Sequence, residues 1–141
     1  MIALDSNVLI AAHRREHPLH SRAMSRILQI AEGDLPWCLP VFCLAEFLRV
    51  LTHPRVFTPP TSLEVVLAFI DGLLESPTIR VLFPGDQFWY HLRSKAINGD
   101  ARGNLIFDAQ IAALCQEFGA MDLVTADRDF TRFDGLRPDF L

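Results

Sequence analysis

The 141-residue sequence is short of cysteine and of long hydrophobic runs, and both scarcities exclude classes of protein. The cysteines Cys38, Cys43 and Cys115 are odd in number and lack C-x-x-C spacing, so we predict buried free thiols in a reducing compartment. No uncharged apolar run approaches the roughly 20 residues that would span a bilayer. No signal-peptide pattern precedes the first predicted strand. We therefore expect a cytoplasmic protein with no membrane segment.

Lysine is nearly absent as well, because Lys95 is the one lysine among 13 basic residues. Arginine binds phosphate well through its bidentate guanidinium, although the same bias also fits genomic base composition. The formal net charge of −4 argues against a nucleic-acid partner. A bound metal ion would cancel carboxylate charge, however, so net charge does not decide the question.

Half of the residues are hydrophobic, and this composition predicts a globular protein of one domain, residues 1–141. Short apolar runs alternate with helical patterns along its whole length. The predicted strands are 1–4, 35–39, 79–83, 121–125 and 136–141. The predicted helices are 8–12, 19–31, 41–51, 61–75, 87–96 and 104–117. This alternation predicts an α/β fold whose sheet is largely parallel and covered by helices on both faces.

Three details of this pattern are specific enough to test. Thr61 or Ser62 should cap the fourth helix, with Glu64 completing a capping box with Thr61. The last helix carries an apolar stripe that includes Phe107 and Phe118 at its ends. The cluster of His13, His17 and His20 lacks a spaced partner group elsewhere, so we interpret it as a solvated loop and not as a metal site.

Four carboxylates occur where an ordinary core would not place them. Asp5 ends the first strand, Glu46 lies within an apolar helix, Asp108 lies near the start of the last helix, and Asp127 follows the fourth strand. In a right-handed parallel topology, strand carboxyl ends and helix amino ends face the same edge of the sheet. We therefore expect these acids to meet at one edge, where ligands bind in open α/β sheets.

Each acid also has a purely structural explanation. Asp5 could cap the helix that follows it, and Asp127 could cap a turn. Asp108 could be stabilised by the positive amino-terminal end of a helix dipole. Glu46 could pair with Arg49 three residues later. Taken together, however, clustered acids in apolar surroundings would repel one another unless cations were bound. Their hard oxygen ligands suit Mg²⁺ or Mn²⁺.

The chain resembles the PIN-domain ribonucleases, and most closely the VapC-type toxins of bacterial toxin–antitoxin pairs. The resemblance covers essentially all 141 residues and rests on four segments in order: Leu4-Asp5-Ser6-Asn7-Val8-Leu9, Ala45-Glu46-Phe47-Leu48-Arg49-Val50, Asn104-Leu105-Ile106-Phe107-Asp108-Ala109 and Thr125-Ala126-Asp127-Arg128-Asp129-Phe130. It implies a three-layer α/β/α sandwich around a parallel sheet, a homodimer, an RNA substrate and a cognate antitoxin protein.

The resemblance also implies roles for individual residues. The metal-binding and catalytic acids would be Asp5, Glu46, Asp108 and Asp127, with Asp129 as an accessory acid. Asn7 and Thr125 would orient the acids. Arg14, Arg15, Arg49 and Arg128 are our candidates for binding the RNA backbone. The expected reaction is hydrolysis of a phosphodiester by a metal-activated water, which leaves a 5′-phosphate.

Three other functions compete with a toxin nuclease. An aspartyl-phosphate phosphatase would need a second Asp two residues after the first, where this chain has Asn7. A non-enzymatic α/β module with one regulatory ion would leave Glu46 unexplained. A housekeeping PIN-domain nuclease is the main competitor, and the small size without an added RNA-binding domain favours the toxin.

Overall fold

A five-stranded, wholly parallel sheet forms the centre of the molecule in the computed structural model, which describes residues 1–141. The strands are β1 Ile2–Leu4, β2 Trp37–Pro40, β3 Ile79–Leu82, β4 Asp122–Thr125 and β5 Arg137–Phe140. The helices are α1 Ser6–His13, α2 His20–Ala31, α3 Val41–Leu51, α4 Leu63–Leu74, α5 Phe88–Asn98 and α6 Leu105–Phe118. A short 3-10 helix, Arg128–Arg132, precedes β5. No helix combines the length and apolar character needed to cross a membrane.

The strand order is β3-β2-β1-β4-β5, so the direction of winding reverses between β1 and β4. In open parallel sheets such a reversal leaves a crevice outside the carboxyl ends of the two strands. Here the crevice lies beyond Leu4, which pairs with Val124 at the end of β1. The topology therefore brings the residues that follow β1 and β4 together.

Side chains on the strands alternate between two separate cores, because successive residues of a strand point to opposite faces of the sheet. Ala3, Cys38 and Leu123 pack in the core beneath α5 and α6. Leu4, Leu39 and Val124 pack in the core beneath α1 to α4. Each core contains 15 buried residues, so helices cover both faces and the predicted three-layer α/β/α fold is confirmed.

All three cysteines are buried and unpaired, as predicted. Burial raises the pKa of the Cys38 thiol to about 12, because the thiolate would lose its hydration. Such thiols behave as small apolar side chains and not as nucleophiles.

The element boundaries differ from the predicted ones by one or two residues at most ends, and two capping details change. Helix α1 begins at Ser6, two residues before the predicted start, because the Asp5 side chain accepts a hydrogen bond from the Ser6 backbone. The predicted capping box of Thr61 with Glu64 is wrong. Ser62 caps α4 by accepting from the backbone nitrogen of Val65.

The histidine cluster was predicted to be a solvated loop, and this is wrong for two of its members. His13 belongs to α1 and contacts the rings of Phe47 and Phe69 edge-on. His20 begins α2, and its Nδ1 lies 3.1 Å from the carbonyl oxygen of Ala11.

The predicted apolar stripe of α6 is buried only in its middle. Ile111, Leu114 and Cys115 are buried, whereas Phe107 and Phe118 are 60% and 44% exposed. The helix also buries its alanines, including Ala109 and Ala113. Phe107 is consequently a surface residue at the same edge as the carboxylates.

Candidate metal centre

Asp5 is the most deeply buried acid of the chain, with 3% of its surface exposed. Its Oδ1 accepts a hydrogen bond from the backbone nitrogen of Ser6 at 2.6 Å. Its Oδ2 accepts from the hydroxyl of Thr125 at 2.7 Å and from the side-chain amide of Asn7. The structural explanation that Asp5 caps α1 is thus correct, and it is compatible with a second role at the edge of the sheet.

Asn7 and Thr125 join the ends of β1 and β4 into one hydrogen-bonded unit. The Asn7 amide nitrogen donates to the Thr125 hydroxyl oxygen at 3.1 Å, and its Oδ1 accepts from the backbone nitrogen of Ala126. The Thr125 hydroxyl oxygen also accepts from the backbone nitrogen of Asp127 at 2.9 Å. These bonds fix the orientation of Asp5 and the path of the chain into Asp127.

Glu46 reaches the same edge from α3. The Ser6 hydroxyl donates to its Oε2 at 2.7 Å and lies 3.3 Å from Oδ1 of Asp5, so one side chain lies between the two acids. Oε1 of Glu46 also lies 3.5 Å from Arg49. The pair with Arg49 is the structural explanation considered for Glu46. It is long and exposed, and such pairs contribute little to stability.

The remaining acids line an open cleft of about 910 Å³ between α3 and α6. Asp108 lies on α6 at its amino-terminal turn, and Asp127 and Asp129 lie on the segment after β4. Asp127 also accepts from the backbone nitrogen of Asp129 at 2.8 Å, so it caps the 3-10 helix as the structural explanation required. Glu46 completes the acidic lining of the cleft.

The pKa values show that the acids are close enough to affect one another. Burial raises the pKa of Asp5 to about 6, and the hydrogen bonds from Thr125 and Ser6 oppose that rise. The pKa of Asp108 rises to about 7, first because of burial and then because of the charges of Asp127, Asp5, Glu46 and Asp129. When the pKa of a carboxyl group is raised to near neutral pH in this way, a nearby cation strongly stabilises its ionised form.

The residues present fit a divalent metal ion by their chemistry. Every side chain that surrounds Asp108 with negative charge offers hard carboxylate oxygens, which Mg²⁺ and Mn²⁺ prefer. As the side chains stand, no three acidic, histidine or cysteine groups are already arranged to hold an ion. The acids would therefore need to adjust around a cation.

The four candidate arginines divide into two groups. Arg49 lines the cleft. Arg128 follows Asp127 directly, but its guanidinium lies 5.0 Å from the ring of Phe140 and the residue is not part of the cleft lining. Arg14 does not line the cleft, because its guanidinium lies 4.0 Å from the Phe57 ring and donates to Thr61 and Glu16. Arg15 is exposed next to it and is also outside the cleft.

Sequence reasoning missed Ser6 and the cleft residues that carry no charge. Ser6 could have been found from its place between Asp5 and Asn7, since the middle residue of a strand-to-helix turn often faces the ligand edge. Phe42, Asn104 and Gln110 also line the cleft, and no local pattern of the sequence distinguishes them from ordinary helix residues.

Comparison with known proteins shows that the chain is similar to PIN-domain ribonucleases. The family model described as the PIN domain matches residues 2–136. Ribonuclease VapC43 of Mycobacterium tuberculosis is 42% identical over 137 residues, which cover 97% of this chain and 92% of the relative.

Solved structures show the same fold. The structure of VapBC2 from Rickettsia felis bound to a DNA fragment from its promoter matches with a TM-score of 0.73, and the match covers 99% of this chain and 98% of that one. VapC20 of Mycobacterium tuberculosis, described as a toxin that cleaves the sarcin–ricin loop, matches with a TM-score of 0.70 over 98% and 100% of the two chains. Both are 18% identical to this chain, so they establish the fold alone.

The raised pKa of Asp108 predicts that the metal-free protein loses stability as the pH rises. The group has a pKa of about 7 in the folded state and an ordinary value of 3.8. Its contribution to the free energy of unfolding is therefore fully present below about pH 4 and is lost as the pH rises through 7. Asp108→Asn is neutral at every pH. In EDTA it should therefore be more stable than the wild type at pH 8 by on the order of 1 kcal/mol, after allowance for screening, and should show no such advantage at pH 4.

Urea unfolding at both pH values, followed by tryptophan fluorescence, measures this difference. Asp108 accepts no hydrogen bond that the substitution would disrupt, since burial and neighbouring charge alone account for its pKa. A difference in unfolding free energy that is the same at pH 4 and pH 8 would contradict the prediction.

Proposed function

This chain belongs to the PIN-domain family and to its VapC ribonucleases, and on that basis we propose that it is a metal-dependent endoribonuclease acting as the toxin of a toxin–antitoxin pair. The observation that carries the proposal is the convergence of Asp5, Glu46, Asp108 and Asp127 at the switch point of the sheet. The relatives' names favour a toxin over a housekeeping nuclease. Glu46 beside Asp5 argues against a non-enzymatic module, because a helix needs no such acid.

In the proposed mechanism, Asp5, Glu46, Asp108 and Asp127 would hold the ion, with Asp129 as an accessory ligand. When bound, Mg²⁺ or Mn²⁺ would act as a Lewis acid toward the scissile phosphate and acidify the attacking water. The chain's own contribution is orientation. Thr125 and Asn7 fix the orientation of Asp5, because each donates a hydrogen bond to its carboxylate. The bond from Thr125 also opposes the rise in the pKa of Asp5 that burial causes.

The other polar groups of the cleft position the RNA. Arg49 lines the cleft beside Glu46 and suits contacts with the phosphates that flank the scissile bond. No serine or cysteine nucleophile is required, since the buried thiols are inert. The proposed products carry a 5′-phosphate and a 3′-hydroxyl.

We also propose that a cognate antitoxin controls the enzyme in the cytoplasm and that the toxin forms a homodimer. The Rickettsia felis neighbour is VapBC2, and this supports a protein partner. The acidic cleft offers a simple mechanism of inhibition, because an Arg or Lys of the partner could take the place of the cation among the carboxylates.

The first functional prediction is RNA cleavage that depends on a divalent metal. The purified protein, free of its antitoxin, should cut a structured RNA in Mg²⁺ or Mn²⁺ and stop in excess EDTA. Asp108→Asn should abolish cleavage without unfolding the protein. It is a cleaner variant than Asp5→Asn, whose new amide would face the donors of Thr125 and Asn7.

Asp122→Asn is the matched control. Asp122 begins β4, at the opposite end of the strand from the cleft, and pairs with Arg137 on the surface. Loss of that exposed pair should leave cleavage unchanged. Full activity in EDTA, or an Asp108→Asn enzyme as active as Asp122→Asn, would overturn the proposed mechanism.

Glu46 and Arg49 provide a second prediction, because they separate a metal ligand from an ion pair. As a ligand, Glu46→Gln should lower the cleavage rate by more than the about 10- to 100-fold typical of residues that only support a ligand. Gln keeps an oxygen for the Ser6 hydroxyl, so the fold should persist. Arg49→Ala should lower the rate less. Equal and mild effects, with unfolding free energies changed by only about 0.2–0.5 kcal/mol, would mean that the two residues form a structural pair.

A third prediction concerns inhibition by the antitoxin. Expression of this chain alone should arrest growth, and co-expression with the antitoxin should restore it. Neutralising the partner cation that enters the cleft should weaken inhibition more than it weakens binding, measured by cleavage assay and by calorimetry of the complex. An antitoxin that inhibits equally well with all such cations replaced would refute charge substitution and leave the nuclease assignment intact.

A further inference from the structure

The ring of Phe107 is exposed on the wall of the acidic cleft. It is 60% accessible although it is a large apolar side chain, and it forms no pair with any other aromatic ring. It precedes Asp108 directly and is one of the residues that line the cleft. An isolated exposed apolar residue is ordinary on a protein surface. One placed beside the acids of a cleft requires a closer look at its neighbours.

The neighbours of Phe107 on α6 carry side-chain amides. Residues three or four positions apart share a helix face, so Asn104 lies one turn before both Phe107 and Asp108. Gln110 lies three residues after Phe107. Asn104, Phe107 and Gln110 all line the same cleft as Asp108.

The Asn104 amide is free to bind something outside the chain. An Asn at the start of a helix ordinarily caps it by accepting from a backbone nitrogen of the first turn. Asn104 occupies that position but makes no capping hydrogen bond. The cleft therefore presents a flat apolar ring and two amides, with donors and acceptors, next to a carboxylate of the metal centre.

We propose that Phe107 stacks on one unpaired nucleobase of the RNA, at a nucleotide beside the scissile bond, while the amides of Asn104 and Gln110 bind its edge. The inference rests on the proposed ribonuclease function and extends it to the nature of the substrate. A nucleobase has an aromatic face for the ring and an edge of donors and acceptors for the amides. An apolar anchor of a protein partner would instead cover both amides without hydrogen bonds, at a cost in desolvation.

The proposal restricts the form of the RNA. A base inside a duplex is already stacked and paired, so the Phe107 ring could reach it only after the base had left the helix. Unpaired bases in loops, bulges and single strands need no such step. The enzyme should therefore cut at unpaired nucleotides and spare a perfect duplex of the same sequence.

Single-turnover cleavage with enzyme in excess tests the role of the ring. It yields the enzyme concentration at half-maximal rate, which reports binding, and the maximal rate, which reports chemistry. Phe107→Ala should raise the half-saturating concentration by roughly 5- to 150-fold, the equivalent of about 1–3 kcal/mol for one stacked base. The maximal rate should change little. Phe107→Tyr should behave like the wild type, and Phe107→Leu should not.

Phe118 supplies the matched control on the same helix. It is an exposed Phe in the last turn of α6 and lies outside the cleft. Phe118→Ala removes the same ring and should leave both kinetic constants unchanged. Thermal unfolding should show that both alanine variants remain folded.

An abasic scan of the RNA identifies the partner of the ring. Removing the base at one position near the cut should weaken binding by the wild type at least as much as Phe107→Ala does, because it deletes the amide contacts as well as the stacking. In the Phe107→Ala enzyme the same removal should have a clearly smaller effect than in the wild type, because the stacking is already lost.

The possible failures are distinguishable. A wild-type enzyme that cuts no RNA would refute the proposed function itself. RNA cleavage with equal half-saturating concentrations for Phe107→Ala and Phe118→Ala, full rescue by Phe107→Leu, or unchanged abasic profiles would overturn only the stacking subsite. A Phe107→Ala enzyme that cuts RNA normally but is no longer inhibited by its antitoxin would show that the ring binds the protein partner. That result would also overturn the stacking subsite.

Discussion

The hydrogen bond from the Thr125 hydroxyl to the Asp5 carboxylate is the contact on which the site depends. It joins the ends of β1 and β4, the two strands between which the sheet reverses its winding. Asn7 forms hydrogen bonds with both of these side chains and with the backbone of Ala126, so three hydrogen bonds from one residue reinforce this contact. Without these donors, burial of Asp5 would leave a carboxyl group with little reason to ionise.

Around this joint the fold tolerates electrostatic repulsion instead of relieving it. The pKa of Asp108 rises to about 7, first because of burial and then because its neighbours are acids. The nearby cations Arg49 and Arg132 pair instead with Glu46 at 3.5 Å and with Asp129 at 3.4 Å. Retention of such repulsion in a folded chain is typical of functional sites, where local stability is given up for chemistry. A cation from solution or from a protein partner would relieve it, and on our proposal the two alternatives are the active and the inhibited enzyme.

The cleft has two chemically different parts that one helix connects. Asp108 presents charge to the metal centre, and Phe107 beside it presents an apolar ring to the substrate. Adjacent helix residues project in directions about 100° apart. On the proposed stacking subsite, a substrate phosphate at the acids would therefore lie near a base at the ring. The geometry of α6 would thus make the position of cleavage depend on whether the neighbouring base is unpaired.

The sequence determined the order of the elements, because the periods of strands and helices are local properties of the chain. It also pointed to Asp5, Glu46, Asp108 and Asp127, since each acid interrupts an apolar segment. Three of them, all except Glu46, do so near an end of a strand or helix that faces the ligand edge. Exposure could not be predicted in this way. Phe107 and Phe118 continue the apolar stripe of α6, yet only the tertiary structure shows that their rings are exposed. The edge-on contacts of His13 with Phe47 and Phe69 could not be predicted either, because they join residues that are distant in the chain.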